Sequence, residues 1–310
     1  MKVRLHIEKP GLLTSVQDGG RPGYQRYGVP AGGAMDRPAM QSANWLVGNP
    51  LSAPVLEMTL AGPTLKISGA CLLALTGADM SAKLDGQPLP RYRTHRVEEG
   101  GILSFGKLKQ GCRACLAIGG QWQVGKWLGS CSAILWNKRP PATGGRLQKG
   151  DVIEVVANPN APLRRLDPPA FFQNHPSTLR VLPGPEFRHF SGLFVARFFS
   201  RAFIVSPQSN RMGYRLEEAI PDYRHCEIIS SGTVPGTIQV AHSGQPILLM
   251  ADAQTTGGYP RLANVISADM DMAAQLKPGD QIRFRVVEME EALLALKQKR
   301  RSLNFLDHVC

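Results

Sequence analysis

The sequence predicts a mainly β protein of two β-rich domains with a few peripheral helices. Short apolar runs bounded by turn residues fill most of the chain, a matched pair of turn phrases recurs in its two halves, and a proline-dense stretch separates those halves. A length of 310 residues suits two domains of ordinary size.

In the first half, Thr64–Ser68, Cys71–Thr76, Ala82–Leu84, Gly101–Phe105 and Cys112–Ile118 read as strands, each closed by Gly, Pro, Asp or Ser. Asp85-Gly86, between Leu84 and Gln87, is a hairpin signal. Leu147-Gln148-Lys149-Gly150-Asp151 precedes an apolar Val152–Val156, and Leu276-Lys277-Pro278-Gly279-Asp280 precedes Ile282–Val287. Each phrase reads as a turn feeding the last strand of a β unit, so two domains of related design are expected. The first spans residues 1–160 and the second 176–310. Pro159, Pro162, Pro168, Pro169 and Pro176 crowd the interval Ala157–Ser177, disfavouring helix and central strand and marking it as the linker.

Three helices are expected. Arg37–Val47 has Pro38 near its start and Gly48 just beyond its end, with Asp36 placed either as an N-cap or as a functional group. Pro185–Phe199 sets Phe187, Phe190, Phe194 and Phe198 at helical spacing. Met289–Leu306 aligns Met289, Ala292, Leu293, Leu296, Arg300 and Leu303, with acids first and bases last. These apolar stripes read as packing surfaces.

Composition narrows the function. No run approaches the length that spans a bilayer, and the charged, alternating N-terminus lacks a signal-peptide core, so a cytoplasmic protein is expected. The net charge is +12, but the basic residues are scattered. The one dense run, Lys297–Arg301, closes a predicted helix and carries no nucleic-acid motif. A basic surface instead suits anionic substrates or an acidic partner. The six cysteines show no disulfide framework, and Cys112-Arg113-Ala114-Cys115 lies in a predicted strand, so no metal site is proposed.

Chemistry concentrates in polar loops rich in glycine. The first runs Gln17-Asp18-Gly19-Gly20-Arg21, the second Ser209-Asn210-Arg211-Met212-Gly213-Tyr214-Arg215, and the third Gln254-Thr255-Thr256-Gly257-Gly258-Tyr259, with Gln239 nearby in sequence. Arg211 and Arg215 offer planar forks suited to carboxylate or phosphate. Gln239, Gln254 and Asn210 both donate to and accept from an amide. The Gly257-Gly258 backbone can present N–H groups to a developing oxyanion. Such groups fit an anionic substrate bearing an amide or carbonyl; the alternative is that they form tight turns and buried networks. Arg211, Gln254, Gly257 and Gly258 are the candidate catalytic groups. Gln17, Asp18, Arg21, Asn210, Arg215, Gln239, Thr255, Thr256 and Tyr259 are the candidate substrate-binding groups. A phosphate-binding P-loop, a dinucleotide fingerprint, a nucleophile elbow and a biotin-attachment lysine are all missing from the chain. If ATP or biotin is used, its machinery is expected on another chain.

Thr-Ser-Val-Gln-Asp-Gly-Gly-Arg at 14–21, Gly-Val-Pro-Ala-Gly-Gly-Ala-Met-Asp at 28–36 and Ala-Asn-Trp-Leu-Val-Gly-Asn at 43–49 resemble the family of the 5-oxoprolinase C subunit, also called allophanate hydrolase subunit 2 or biotin-dependent carboxyltransferase-like. So do Pro-Gly-Pro-Glu-Phe at 183–187, Ser-Asn-Arg-Met-Gly-Tyr-Arg-Leu at 209–216 and Asp-Ala-Gln-Thr-Thr-Gly-Gly-Tyr-Pro-Arg at 252–261. The resemblance covers nearly the whole chain. It implies cyclophilin-like barrel domains and a complex with the B and A subunits of 5-oxoprolinase that opens 5-oxo-L-proline to L-glutamate, consuming ATP with magnesium. It also implies two alternatives: a carboxyltransferase-like subunit of a biotin-dependent urea or amide carboxylase, and a regulator that binds a kinase-inhibitor partner. No nucleic-acid or membrane partner follows from it.

Overall fold

A computed structural model of the protein describes residues 2–135, 145–158, 160, 162–169, 178–221, 223 and 228–303. The fold is mainly β. The chain divides into two compact units, one within Met1–Arg21 and Gly32–Gln173, the other within Pro22–Ala31 and Asn174–Asn304.

The strands of the first unit are β1 (Lys2–Lys9), β2 (Leu13–Gln17), β3 (Val55–Thr59), β4 (Thr64–Ser68), β5 (Cys71–Asp79), β6 (Lys83–Leu84), β7 (Gln87–Pro88), β8 (Thr94–Val97), β9 (Ile102–Ser104), β10 (Gln110–Ile118), β11 (Gly120–Trp122) and β12 (Val152–Ala157). They form a seven-stranded sheet in the order β11-β12-β1-β4-β9-β6-β7 and a five-stranded sheet in the order β2-β3-β10-β5-β8. Alternation assigns the faces. Val3, Leu5 and Ile7 from one sheet meet Leu73, Leu75 and Leu116 from the other in a shared core. The opposite face of the smaller sheet, through Ala74, Cys115 and Ala117, packs against helix α1 (Arg37–Leu46) by way of Ala39, Met40, Ala43 and Leu46. Burial on both faces explains why β5 and β10 read as unbroken apolar runs rather than alternating ones. Asp36 is the N-cap of α1, its carboxylate accepting from the Ala39 N–H at 2.9 Å. Cys112 and Cys115 are ordinary buried strand residues.

The second unit holds β13 (Thr178–Pro183), β14 (Phe203–Ile204), β15 (Gly213–Arg215), β16 (Ser231–Gly232), β17 (Thr237–Val240), β18 (Pro246–Leu249), β19 (Thr256–Gly257), β20 (Arg261–Val265) and β21 (Gln281–Val286). Its main sheet runs β14-β21-β13-β20-β17-β18-β15, and β16 pairs with β19 alone. Helices α2 (Gly192–Ser200), α3 (Met270–Ala274) and α4 (Met289–Ser302) lie around it. Phe198 of α2 stacks on Phe284 of β21 with centroids 5.1 Å apart, anchoring the helix to the sheet.

The two recurring turn phrases adopt one geometry. In the first, the Gln148 N–H donates to the Asp151 carboxylate at 2.7 Å and the Gly150 N–H to the Ile7 carbonyl at 2.8 Å. In the second, the Lys277 N–H donates to the Asp280 carboxylate at 3.0 Å and the Gly279 N–H to the Val205 carbonyl at 2.9 Å. Gly150 and Gly279 have φ of 91° and 86°, a conformation in which any Cβ is strained.

Two helical expectations are corrected. The segment expected as one helix over Pro185–Phe199 is a 3-10 turn at Phe187–His189 followed by α2, because Phe190 is extended and the Ser191 hydroxyl caps the Phe194 N–H. The expected packing stripe of α4 is rotated: Met289 and Leu293 are exposed, whereas Ala292 and Ala295 are buried against Ile266 and Val287. On this helix Lys299 bonds the Asp271 carboxylate and the Ala268 carbonyl, and Arg285 donates to Glu291 at 2.5 Å. Residues 304–306 of the expected helix lie outside the described residues. Much of the expected linker does too. Within its described part, Arg164 donates to the Trp45 carbonyl at 2.6 Å and the Leu166 N–H to the Tyr92 carbonyl at 2.8 Å, docking that stretch on the first unit. Among the described residues, no helix is long and apolar enough to cross a membrane.

Candidate functional site

The second unit brings most of the candidate residues together around one loop, residues 252–259. Its entry is fixed by Arg211 and Asp252: Nε donates to Oδ2 at 2.8 Å and Nη2 to Oδ1 at 2.9 Å, with both side chains almost completely buried. The Asp252 N–H also donates to the Arg211 carbonyl at 3.0 Å. The Arg211 fork does not stand open to a substrate carboxylate, because Asp252 of the same chain occupies the bidentate geometry. A buried, doubly bonded pair of this kind fixes backbone position.

Beyond Asp252 the loop turns outward. Thr233 ties it down, its hydroxyl donating to the Gln254 carbonyl at 2.5 Å and its N–H to the Thr255 carbonyl at 2.9 Å. Gln254 and Gln239 face each other, the Gln254 amide donating to Gln239 Oε1 at 3.3 Å. Gln239 Nε2 donates to the Tyr259 carbonyl at 3.1 Å, closing the loop on the end of β17. Gly257 sits so close to this amide pair that a Cβ would lie 2.7 Å from Gln239 Nε2, so any side chain there must push the end of Gln239 aside. Gln254, Thr256 and Gly258 are exposed, whereas Gln239 is buried. The loop thus presents an amide held by a buried amide, threonine hydroxyls and a glycine backbone, suited to hydrogen-bonding a carbonyl or a developing oxyanion.

Asn210 and Arg215 are less central. Asn210 accepts the Met212 N–H at 2.8 Å in a turn of its own. Arg215 is exposed on β15 opposite Ile247.

The matched family model is that of the carboxyltransferase domain, subdomains A and B, over residues 27–286. The chain belongs to this carboxyltransferase family. It is 38% identical to the 5-oxoprolinase C subunit of Escherichia coli, over 96% of each chain. It is 34% identical to the 5-oxoprolinase C subunit of Haemophilus influenzae, over 96% of this chain and 94% of the relative. The urea carboxylase crystal structure from Kluyveromyces lactis superposes with a TM-score of 0.87 at 29% identity, covering 98% of this chain and 29% of that one.

Within this carboxyltransferase fold, three further residues border the loop that the sequence reading did not place in the site. Arg261 donates to Glu186 from Nε at 2.8 Å, from Nη2 at 2.5 Å and from its backbone N–H at 3.0 Å, while Nη1 donates to the Gly232 carbonyl at 2.6 Å. That guanidinium holds the Glu186 carboxyl below the usual carboxylate range. Since β16 contains Gly232 and pairs with β19, the Glu186–Arg261 pair braces the small sheet carrying Thr256 and Gly257. The third residue is exposed His242, whose ring meets Tyr259 edge-on at 5.2 Å. The signal was present: Glu186 and Arg261 both lie in the family-like phrases, but nothing local reveals that those phrases touch.

The Gln17-Asp18-Arg21 loop belongs to the first unit and is largely buried. Asp18 accepts from the Ser130 and Ser132 hydroxyls and the Cys131 N–H, each at 2.6 Å, and from the Gly20 N–H at 2.8 Å. Arg21 donates to the Ser130 hydroxyl at 3.4 Å and to the Ser132 carbonyl, with its guanidinium 5.2 Å from the Trp127 ring centre. Gln17 donates to the Ser15 hydroxyl at 3.0 Å and the Ala133 carbonyl at 3.4 Å. Both Gln17 and Arg21 are directed into the protein, where they bond the segment 127–133.

Proposed function

We propose that this chain is the C subunit of an ATP-dependent 5-oxoprolinase, a cytoplasmic complex with A and B subunits that hydrolyses 5-oxo-L-proline to L-glutamate. The observation that carries this reading is the end-to-end match: the chain and the E. coli 5-oxoprolinase component each cover 96% of the other, whereas the chain spans only 17% of the Saccharomyces cerevisiae urea amidolyase it also resembles.

The geometry supports a role at the lactam. A lactam is a poor electrophile; transferring the ATP phosphoryl group to its oxygen lets water add at the ring carbon. The ring C–N bond then breaks with the nitrogen leaving as the amine, and a second water releases phosphate from the resulting acyl phosphate to give glutamate. Exposed Gln254, the Thr255 and Thr256 hydroxyls and the Gly257-Gly258 backbone are the groups we assign to the carbonyl end, where charge develops. Gln239 and Tyr259 orient that loop, and Arg211 acts on it through Asp252. Asn210 and Arg215 are assigned to the carboxylate end of the substrate. Among the described residues, no three His, Cys, Asp or Glu side chains converge as metal ligands. ATP and magnesium are assigned to the complex as a whole.

The test is ATP-dependent release of glutamate from 5-oxo-L-proline by the reconstituted complex, with each component omitted in turn. Loss of release without this chain is expected. Full release in its absence would overturn the reading.

A further inference from the structure

The first unit contains a cavity of about 770 Å³ that the proposed hydrolysis does not use. Its size lies within the range of small-molecule sites. The lining joins the Asp18-Gly19-Gly20 turn, the edge strand β11, Ser52, Asn158 and the segment Lys126–Cys131.

The charge of this cavity is set by two lining groups. The Asp18 carboxylate already receives four hydrogen bonds of 2.6–2.8 Å, two of them from backbone N–H groups, so its charge is compensated in place. Lys126 is exposed at the cavity and forms no ion pair with any described residue. Among the described residues it is the one cation in the lining. Cys131 contributes a neutral thiol, since burial and then the Asp18 charge push it above its ordinary range. Ser52, Gln121 and Asn158 supply a hydroxyl and two amides.

The wall bearing Lys126 is held in a costly shape. Trp127 and Ser130 exchange backbone hydrogen bonds of 2.9 and 3.1 Å around Leu128 and Gly129, whose φ values are 50° and 80°. A leucine in the left-handed region is disfavoured and persists only where its surroundings over-determine it. Here Arg21 and Asp18 do so, the first through Trp127 and Ser130, the second through Ser130, Cys131 and Ser132. The buried loop network thus has a product: a fixed concave wall with a cation at its rim.

We propose that this cavity is a binding site for a small carboxylate carrying a second carbonyl or amide. Lys126 pairs with the carboxylate, and Ser52, Gln121 and Asn158 take the neutral end. The proposal rests on the 5-oxoprolinase reading only in the choice of probes, because both the lactam substrate and the amino-dicarboxylate product have this chemistry.

The experiment is titration of the full chain alone with 5-oxo-L-proline, with L-glutamate and, as a control, with L-proline, followed by calorimetry and by amide NMR shifts. Binding of either of the first two, with shifts at Gly19, Gly20 and Gly129, is expected, and which one binds separates substrate from product. Lys126→Gln should weaken it about tenfold or more, the weight of one charge-assisted hydrogen bond. Ser52→Trp, which fills the cavity from an exposed position, should abolish it. Circular dichroism of each variant should match that of the wild type. Binding of neither probe, binding unchanged in both folded variants, or shifts confined to residues 252–259 would overturn the proposal. An inactive reconstituted complex with intact cavity binding would instead count against the hydrolase reading alone.

Discussion

Glu186 and Arg261 form a clamp of three hydrogen bonds, and the fourth donor of the clamp, Arg261 Nη1, reaches the Gly232 carbonyl at 2.6 Å. Removing the charge with Glu186→Gln frees the small β16–β19 sheet. The variant should fold, and glutamate release by the complex should fall by about tenfold or more, the worth of a charge-assisted bond. Unchanged turnover would dissociate the clamp from the loop.

The same pair has a pH signature. Because Arg261 lowers the Glu186 carboxyl in the folded protein, its stabilisation is complete above the unfolded value of about 4.3 and is lost as pH falls through the lower folded value. The melting temperature of the wild type should exceed that of Glu186→Gln at pH 7, and the gap should close on acidification below about pH 4. A gap constant from pH 7 to pH 3 would refute it.

Arg211→Ala leaves Asp252 charged and buried, and we expect a stability loss of about 3–5 kcal/mol. The double variant Arg211→Met with Asp252→Leu should be far less destabilised. Urea unfolding of the wild type, Arg211→Met, Asp252→Leu and the double variant measures the coupling, and additive losses would show the pair to be uncoupled.

Gly257→Ala introduces a Cβ 2.7 Å from Gln239 Nε2. The glutamine end can move aside, so the melting temperature should change little. The Gln254–Gln239 bond should break, and glutamate release should drop roughly tenfold. Full activity would remove this amide pair from the mechanism.

Asp18→Asn turns an acceptor toward the Cys131 N–H into a donor and should lower stability by about 2–4 kcal/mol. An unshifted urea midpoint would contradict the network.

Local patterns made the strands legible. The β5 and β10 runs, the Asp85-Gly86 turn and the paired glycine turns each depend on neighbours in sequence, and each was readable. The loops were readable as sites of polar convergence for the same reason. Partner identity was not. Arg211 reads as an open fork until Asp252, 41 residues away, accepts from its Nε and Nη2. Gln17 and Arg21 look like binding groups until the segment 127–133 folds over them. The exposed face of α4 escaped because Ile266 and Val287, against which Ala292 and Ala295 are buried, lie outside the helix.

The assignment of Pro22–Ala31 to the second unit has a consequence for synthesis and dissection. These ten residues leave the ribosome early, yet the unit that houses them is completed only when residues beyond 174 have followed. Both of their chain neighbours, Arg21 and Gly32, belong to the first unit. Proteolysis at the proline-rich stretch is expected to leave Pro22–Ala31 on the N-terminal fragment, cut off from the unit with which they are grouped.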